Sequence, residues 1–323
     1  MSLLVATLAV GLVFAVLALG IYLSFRVYQI PDITADGSFP LGAAVTARML
    51  KEGADPWTAT LAGVLCGALA GMATGFIHTR FKVNAILSGI LVMTALYSLN
   101  LRVMGSSNLP ITRGTLFTPL EETATAWLGR ETTLLGRPVP ASDLGLLAGT
   151  LVAAVLVAVA LTAFLRTELG TTMRATGDNA RMVRARGTST DRMIVLGLAL
   201  SNALVAFAGS LFAQMQLFAD AQMGIGVIVF GLASVIIGTT LVGPVRSVSL
   251  GIAGAIMGAV LFRLLVAIAI RLGLDANDLK LVTAAVVRGA IVGPGWLRGL
   301  GRGRAKHAGG DAAHGKRGGH ASA

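Results

Sequence analysis

The chain has 323 residues, of which 55% are hydrophobic and 13% are charged, and its mean hydropathy is +0.79. So few charged side chains cannot cover a soluble globule of this length, and we predict an all-α, polytopic membrane protein. The formal charge of +11 does not indicate nucleic-acid binding, because the basic residues stand at the ends of apolar runs and in the C-terminal tail. A single cysteine, Cys66, excludes a disulfide framework and a cysteine metal site.

The first predicted element is Ser2–Phe25, an apolar run of 24 residues that is followed by Arg26. It is too long for the core of a signal peptide and has no basic leader, so we expect a retained spanning helix that starts outside the cell. In all we expect about nine hydrophobic helices, two of them broken or re-entrant, within a transmembrane domain of residues 1–297.

A turn-rich segment, Pro31–Ser38, comes next, and Ser38 is the predicted N-cap of a helix that runs to Lys51. At about 1.5 Å per residue this helix covers roughly 20 Å, which is less than the hydrocarbon thickness of about 30 Å. We therefore predict a broken or re-entrant helix. Asp32 and Asp36 are expected to accept hydrogen bonds from backbone donors at its start, where N–H groups can also face a solute. A metal-binding pair is the weaker alternative, since no third ligand stands nearby.

The next predicted span, Thr58–His78, carries a glycine at every fourth position. These glycines are Gly63, Gly67, Gly71 and Gly75. A stripe of small residues lets two helices approach closely in a bilayer, so helix packing is favoured over direct contact with solute. Arg80 and Lys82 mark the inner end of this span.

Val83–Asn100 is predicted to return outward, with Asn84 as a candidate for the solute pathway because a polar group in a span needs a partner or water. The following segment, Arg102–Asp143, has four basic and four acidic residues and therefore no net charge. This balance is typical of an external segment. It is either a docking surface for a solute-binding protein or a plain loop.

Arg166–Arg192 is a polar segment between two long apolar runs, with six arginines and three acidic residues. Its net charge of plus three, from six minus three, places it on the cytoplasmic side. We predict two short helical turns, Thr171–Ala175 and a second turn that follows a break at Gly177, is capped by Asp178 and ends at Gly187.

A second irregular helix is predicted over Gln222–Val242 because four glycines interrupt it. They are Gly224, Gly226, Gly231 and Gly238. The segment resembles the predicted broken helix Ser38–Lys51, since each precedes a span with small residues at helical spacing. We expect these two segments to line the solute pathway.

The span Val245–Leu272 contains Arg263, whose guanidinium either snorkels to the outer interface or faces the pathway. Leu281–Val292 is predicted to be the last crossing. Residues 298–323 are predicted to be a disordered, basic cytoplasmic tail. Within it Gly310–Lys316 imitates a phosphate-binding loop, but the Ser or Thr that such a loop requires is absent.

Several positions match one family pattern. They are Gly170, Arg174, Ala175, Gly177, Asn179, Ala180 and Gly187 of the central segment, with the runs Pro31–Phe39, Asn84–Leu91 and Asp278–Ala284. In them the chain resembles the permease subunits of ATP-driven importers, in the group of branched-chain amino acid and ribose permeases. The subgroup with the greatest likeness is assigned tryptophan, tyrosine or other hydrophobic solutes. Many relatives carry an acid where this chain has Thr239.

The resemblance implies a pair of permeases in the bacterial inner membrane, two separate cytoplasmic ATPases, an external solute-binding protein, no ATPase residues in this chain and no cofactor. Coupling to the ATPase is expected at Gly170, Arg174, Ala175, Gly177, Asn179, Arg181, Arg184 and Gly187. Pathway candidates are Asp32, Asp36, Ser38, Asn84, Gly224, Gly226, Thr239 and Arg263. The alternatives are a self-sufficient secondary transporter or channel and an intramembrane enzyme, and both are disfavoured by the scarcity of acids and histidines within the spans.

Overall fold

The computed structural model describes residues 2–134, 137–243, 247–272 and 288–289. Ten α-helices lie within these residues, and a π-helical turn, Tyr22–Val27, extends the first of them. The helices are α1 (Ser2–Ile21), α2 (Ala35–Glu52), α3 (Pro56–Arg80), α4 (Ala85–Met104), α5 (Thr118–Leu128), α6 (Ala141–Arg166), α7 (Glu168–Ala185), α8 (Thr190–Gln216), α9 (Val227–Val242) and α10 (Val248–Arg271).

Six helical segments are long and apolar enough to cross a membrane: α1 with its π-helical turn, α3, α4, α6, α8 and α10. The prediction of an all-α, polytopic membrane protein is therefore confirmed. In addition α9 is a shorter apolar helix, and α2 has 18 residues but carries charges. The predicted last crossing Leu281–Val292, apart from residues 288–289, and the predicted tail 298–323 lie outside the described residues.

Four short strands form two antiparallel pairs. The strands are β1 (Asn108–Pro110), β2 (Glu131–Leu134), β3 (Arg137–Pro140) and β4 (Phe218–Asp220). β1 pairs with β4 and β2 pairs with β3, so the segment after α4 is tied to the end of α8. These strands and α5 lie at the end of the bundle opposite to α7.

Local sequence explains where several helices begin. Asp55 caps α3 by accepting hydrogen bonds from the backbone N–H groups of Trp57 at 3.0 Å and Thr58 at 3.4 Å, and Pro56 occupies the first helical turn. Ser189 caps α8 in the same way by accepting from the N–H of Arg192.

The predicted start of α2 is wrong. The helix begins at Ala35, whereas Ser38 lies inside it with its backbone N–H bonded to the carbonyl of Thr34. The reason is Asp32, whose carboxylate accepts the N–H of Thr34 and closes a turn before the helix. The earlier start adds nearly one turn, so the 18 residues of α2 span about 27 Å.

The helix α8 lies at the centre of the bundle and packs against α1, α2 and α3. The glycine stripe of α3 lies along this contact. A side chain at Gly71 would overlap the carbonyl oxygen of Leu198, and one at Gly67 would overlap the side chain of Ala206. The two backbones are therefore too close for any larger residue at these positions.

Five phenylalanines join α1, α2, α8, α9 and α10 in the core. They are Phe14, Phe39, Phe212, Phe230 and Phe262, and their neighbouring ring centroids lie 4.6 to 5.9 Å apart. Aromatic pairs at this separation stabilise a core by about 1 kcal/mol beyond the burial of their area. The cluster holds α2 and α9 against the long helices.

Candidate functional site

A buried polar cluster lies where α2 begins, and we define it as Asp32, Thr34, Ser38, Thr74 and Asn202. Asp32 Oδ1 accepts the N–H of Thr34 at 3.0 Å, and its Oδ2 accepts from Asn202 Nδ2 at 2.6 Å. Asn202 Oδ1 in turn accepts from Ser38 Oγ at 2.7 Å, while the hydroxyls of Thr34 and Thr74 are 2.7 Å apart. Because burial without partners is costly for polar groups, these bonds fix the relative positions of α2, α3 and α8.

The second carboxylate, Asp36, caps a helix other than its own. Its Oδ1 accepts the N–H of Ile228 at 2.8 Å and its Oδ2 accepts the N–H of Gly226 at 3.2 Å. These donors are at the start of α9, where the helix macrodipole also favours a negative charge. Gly224 lies so close to α2 that a side chain there would overlap the carbonyl oxygen of Asp36. Asp36 therefore joins the two segments that the sequence predicts to line the pathway.

The expected irregularity of the second segment is confined to its beginning. Residues 222–226 form turns and Gly226 has a φ of +87°, a conformation that favours glycine. From Val227 the helix α9 continues without a break through Gly231 and Gly238. Those two glycines serve close packing, because side chains there would overlap Ile21 and the carbonyl oxygen of Gly254.

Three predicted pathway residues do not join the cluster. Asn84 is exposed and caps α4, accepting the N–H of Ile86 at 2.9 Å. Thr239 donates its hydroxyl to the carbonyl of Ile236, within the same helix. Arg263 lies on α10 with its guanidinium carbon 5.8 Å from the ring centroid of Phe14, a cation–π contact.

The metal-binding alternative for the two aspartates has no geometric support. The carboxylate of Asp32 is bonded to Asn202, and that of Asp36 to the start of α9. Among the described residues no group of three His, Cys, Asp or Glu side chains is placed to hold a metal ion.

Sequence reasoning did not single out Asn202, which links Asp32 to Ser38. The available signal was the polar pair Ser201-Asn202 in the middle of an apolar run, since such groups must find partners inside the protein. Ser201 Oγ donates to the carbonyl of Gly20 at 2.7 Å, so both members of the pair connect α8 to other segments.

The segment between α6 and α8, which we label α7, consists of two helical parts that meet at a kink, so the predicted two-part form is right but the predicted positions of its cap and break are wrong. Its cap is Thr167, whose hydroxyl accepts the N–H of Gly170 at 3.2 Å. The break falls at Asn179, with φ −154° and ψ 86°, and not at Gly177. Asn179 Oδ1 accepts the N–H of Met182 at 3.1 Å, so Asn179 replaces Asp178 as the second cap. The segment closes at Gly187, which has a φ of +83°.

The inner face of α7 contacts the ends of two long helices. A side chain at Gly177 would overlap the carbonyl oxygen of Val27, at the end of the π-helical turn, and one at Gly170 would overlap the carbonyl oxygen of Phe164 in α6. Met173 is buried in the same layer. Tyr28, which lies beside Gly177, ties this layer to α8, because its hydroxyl donates to the carbonyl of Met193 at 2.8 Å.

The outer face of α7 is charged and exposed. Arg174, Asn179, Arg181 and Arg184 lie on it, Ala175 is half-buried, and Gly187 is exposed in the closing turn. Within the described part of the chain the one ion pair is Arg48–Glu52, so the arginines of α7 have no acidic partner there. This combination of a packed inner face and an unpaired basic outer face suits contact with another macromolecule.

Comparison with known proteins adds a family match. Residues 3–292 match the family described as branched-chain amino acid transport system, permease component. The chain is 36% identical over 287 residues to the tyrosine transport system permease protein of Clostridioides difficile (strain R20291), which covers 89% of this chain and 90% of that protein.

Two further relatives are more distant. An uncharacterized protein of Rickettsia prowazekii, RP368, is 29% identical over 293 residues, or 89% of this chain and 96% of that protein. The autoinducer 2 import system permease protein LsrC of Yersinia pseudotuberculosis is 26% identical over 271 residues, or 83% of this chain and 70% of that protein. No solved structure matches the chain.

Proposed function

Because this chain belongs to the family of branched-chain amino acid transport system permease components, we propose that α7 is the surface through which a separate ATPase drives it. The chain is a multi-pass membrane protein of the bacterial inner membrane and a permease component of an ATP-binding-cassette transport system. The observation that carries the proposal is the two-sidedness of α7. Its glycine-bearing side is packed on α1 and α6, and its arginine-bearing side is free.

The contacts of α7 define a route for movement. Both ends of α7 are covalently joined to long helices, α6 and α8. Gly177 also packs on Val27 and Tyr28, which are followed within nine residues by Asp32 and Asp36. A displacement of α7 is therefore delivered to the polar cluster and to the start of α9 through a short piece of backbone.

The solute pathway is proposed to run between α2 and α9, with the Asp36 bonds to Gly226 and Ile228 closing it in the conformation described here. Two features support this role. The bonds join two elements that each begin at a turn inside the bundle, and Asp32 and Ser38 beside them are buried. Movement at this joint would expose the half-helix N-termini to a solute. The solute is proposed to be an amino acid, with support from the C. difficile relative named for tyrosine transport.

The partners follow from the same assignment. The ATPase subunit is proposed to bind at Arg174, Asn179, Arg181 and Arg184, and hydrolysis is assigned to it and not to this chain. A second permease copy would complete the pathway. The solute-binding protein would dock on the opposite face, where α5 carries Trp127 with 86% of its surface exposed.

Cross-linking in native vesicles tests the coupling surface and its orientation together. On a Cys66→Ser background, Arg184→Cys should cross-link to the ATPase subunit and react with an impermeant thiol reagent only in inside-out vesicles. Trp57→Cys is the matched control, because Trp57 is 74% exposed at the opposite end of the bundle, where α3 begins. Labelling of Arg184→Cys from outside the cell, or cross-linking of Trp57→Cys alone, would contradict the proposal.

Reconstitution tests the function itself. Liposomes with the permease, its ATPase and the solute-binding protein should accumulate amino acid with ATP, and liposomes with the permease alone should not. Charge reversal at Arg181 and Arg184 should abolish uptake and weaken ATPase binding, whereas Lys51→Glu, in the last turn of α2 at the opposite end of the bundle, should preserve both. Uptake without any ATPase would instead support the secondary-transporter alternative.

A further inference from the structure

A second basic surface lies on the same side of the bundle as α7, and no residue of α7 lines it. The end of α3, the turn that follows, and the start of α8 enclose an open groove of about 660 Å³. Its lining includes Arg80, Lys82 and Arg192, with Asp191 as the one acidic member, which leaves a net charge of plus two from three minus one. Phe76 and Leu196 form its apolar wall.

The three cations have no partner within the described residues. Within those residues, the guanidinium groups of Arg80 and Arg192 and the ammonium group of Lys82 form no ion pair and no side-chain hydrogen bond. Lys82 is held in the groove by an unusual backbone, since its φ of +53° lies in the left-handed region. A 2.7 Å bond between His78 Nδ1 and the carbonyl of Val83 closes this turn. Concentrated, unpaired positive charge of this kind favours an anionic ligand.

The apolar wall continues along the membrane-facing side of α3. Four exposed apolar side chains follow one another there at helical spacing: Leu65, Leu69, Met72 and Phe76. The strip therefore runs from the groove into the depth of the bilayer. A ligand with an anionic head and long apolar chains matches both parts at once.

We propose that this groove binds the phosphate headgroup of an anionic phospholipid, whose acyl chains lie on the exposed strip of α3. Phosphatidylglycerol has the required chemistry, because Arg80, Lys82 and Arg192 can donate to its phosphate oxygens. The start of α8 adds N–H groups of favourable polarity.

Two other occupants fit less well. A second permease copy that met this groove across a two-fold axis would bring identical cations face to face. A water-soluble ATPase cannot cover the part of the strip that lies in the hydrocarbon region. In addition α7, the proposed ATPase-binding surface, contributes no residue to the groove.

Lipid retention by the purified, full-length protein tests the proposal. Native mass spectrometry with phosphatidylglycerol and phosphatidylcholine of equal chain length should show preferential retention of phosphatidylglycerol. Since each basic side chain near an anionic lipid contributes about fivefold in affinity, Arg80→Gln with Arg192→Gln should weaken binding by about 25-fold. Arg26→Gln with Arg186→Gln removes two exposed charges from the same side and should change binding less than about twofold.

Further arms separate the possible sources. Arg80→Lys with Arg192→Lys should fold and keep the preference, which guards against a folding defect in the glutamine variant. Inorganic phosphate should not displace the lipid, because it lacks the chains that contact the strip. Equal retention of both lipids, equal loss in the Arg26 and Arg186 control, or displacement by phosphate would overturn the proposal. So would quantitative cross-linking of Lys82→Cys, on the Cys66→Ser background, to the ATPase or to a second permease.

Discussion

Replacing Asp36 with alanine removes the cap that α2 provides for α9. The change deletes two hydrogen bonds, to the N–H groups of Gly226 and Ile228, and leaves both donors without an acceptor. It also removes a negative charge from the positive end of the α9 macrodipole. We therefore expect the first turn of α9 to open locally while the long helices stay folded.

The size of the effect follows from the two bonds. Loss of a helix cap costs about 1 kcal/mol, and a buried donor left unsatisfied costs about 1 to 3 kcal/mol, with partial overlap between the two terms. We expect about 2 kcal/mol for Asp36→Ala, which corresponds to a roughly 30-fold rise in local opening. Asp36→Asn keeps one acceptor oxygen and should cost about half as much, or roughly fivefold.

Hydrogen exchange measured by mass spectrometry gives the readout, with peptides that cover the start of α9. Asp220→Ala is the matched control, because Asp220 accepts a 2.7 Å bond from the N–H of Gln222 in the preceding turn but does not reach α9. The expected result is faster exchange in the first turn of α9 in Asp36→Ala, and an unchanged exchange rate in that turn in Asp220→Ala. Unchanged protection of Gly226 and Ile228 in Asp36→Ala would refute the assignment of Asp36 as a joint between α2 and α9.

Three other changes have defined outcomes. Gly177→Val should uncouple the transporter, because the new side chain overlaps the end of the π-helical turn. The partner should still hydrolyse ATP, but amino acid uptake should be lost. The control Ala185→Val, on the exposed end of α7, should leave uptake intact. Gly71→Leu should lower the melting temperature in detergent, since overpacking at the α3–α8 contact costs about 3 kcal/mol or more. Burial, and then the charge of Asp143, raises the pKa of the Glu121 carboxyl above its ordinary value of 4.5, so the folded state holds this proton more tightly than the unfolded state does. That stabilisation is complete below pH 4.5 and is lost as pH rises through the raised pKa, so Glu121→Gln should raise the melting temperature at pH 7 and give no gain at pH 4.

The long helices were predictable because hydrophobic length decides them. Thr58–His78 was expected and α3 spans Pro56–Arg80, a difference of two residues at each end. The ends of the polar helices were harder, because hydrogen bonds of single side chains set them. The start of α2 depends on the turn that Asp32 closes, and the kink of α7 on a cap that Asn179 provides although Asp178 has the same capacity.

The candidate site was only half predictable for a different reason. Asp32 and Asp36 stand four residues apart, so the sequence suggested one shared role at one helix start. In the structure they serve different helices, because Asp32 bonds to Asn202 in α8 and Asp36 to the start of α9. No local pattern reports a contact across 190 residues of chain, and only the packing of α9 against α2 creates it.

The proposed coupling from α7 to α9 does not require the lipid-facing helices, because a short series of contacts joins the two elements. Gly177 touches the backbone at Val27, and side chains anchor the residues from Tyr28 to Asp36 at four places: to α8 by Tyr28 and Asp32, to α3 by Thr34, and to α9 by Asp36. A backbone pinned at such short intervals transmits displacement with little slack, because each interval leaves few free torsions. Since the other anchors are to α8 and α3, Asp36 is the anchor that links the segment to α9, and we expect α9 to be the element that movement of the segment releases.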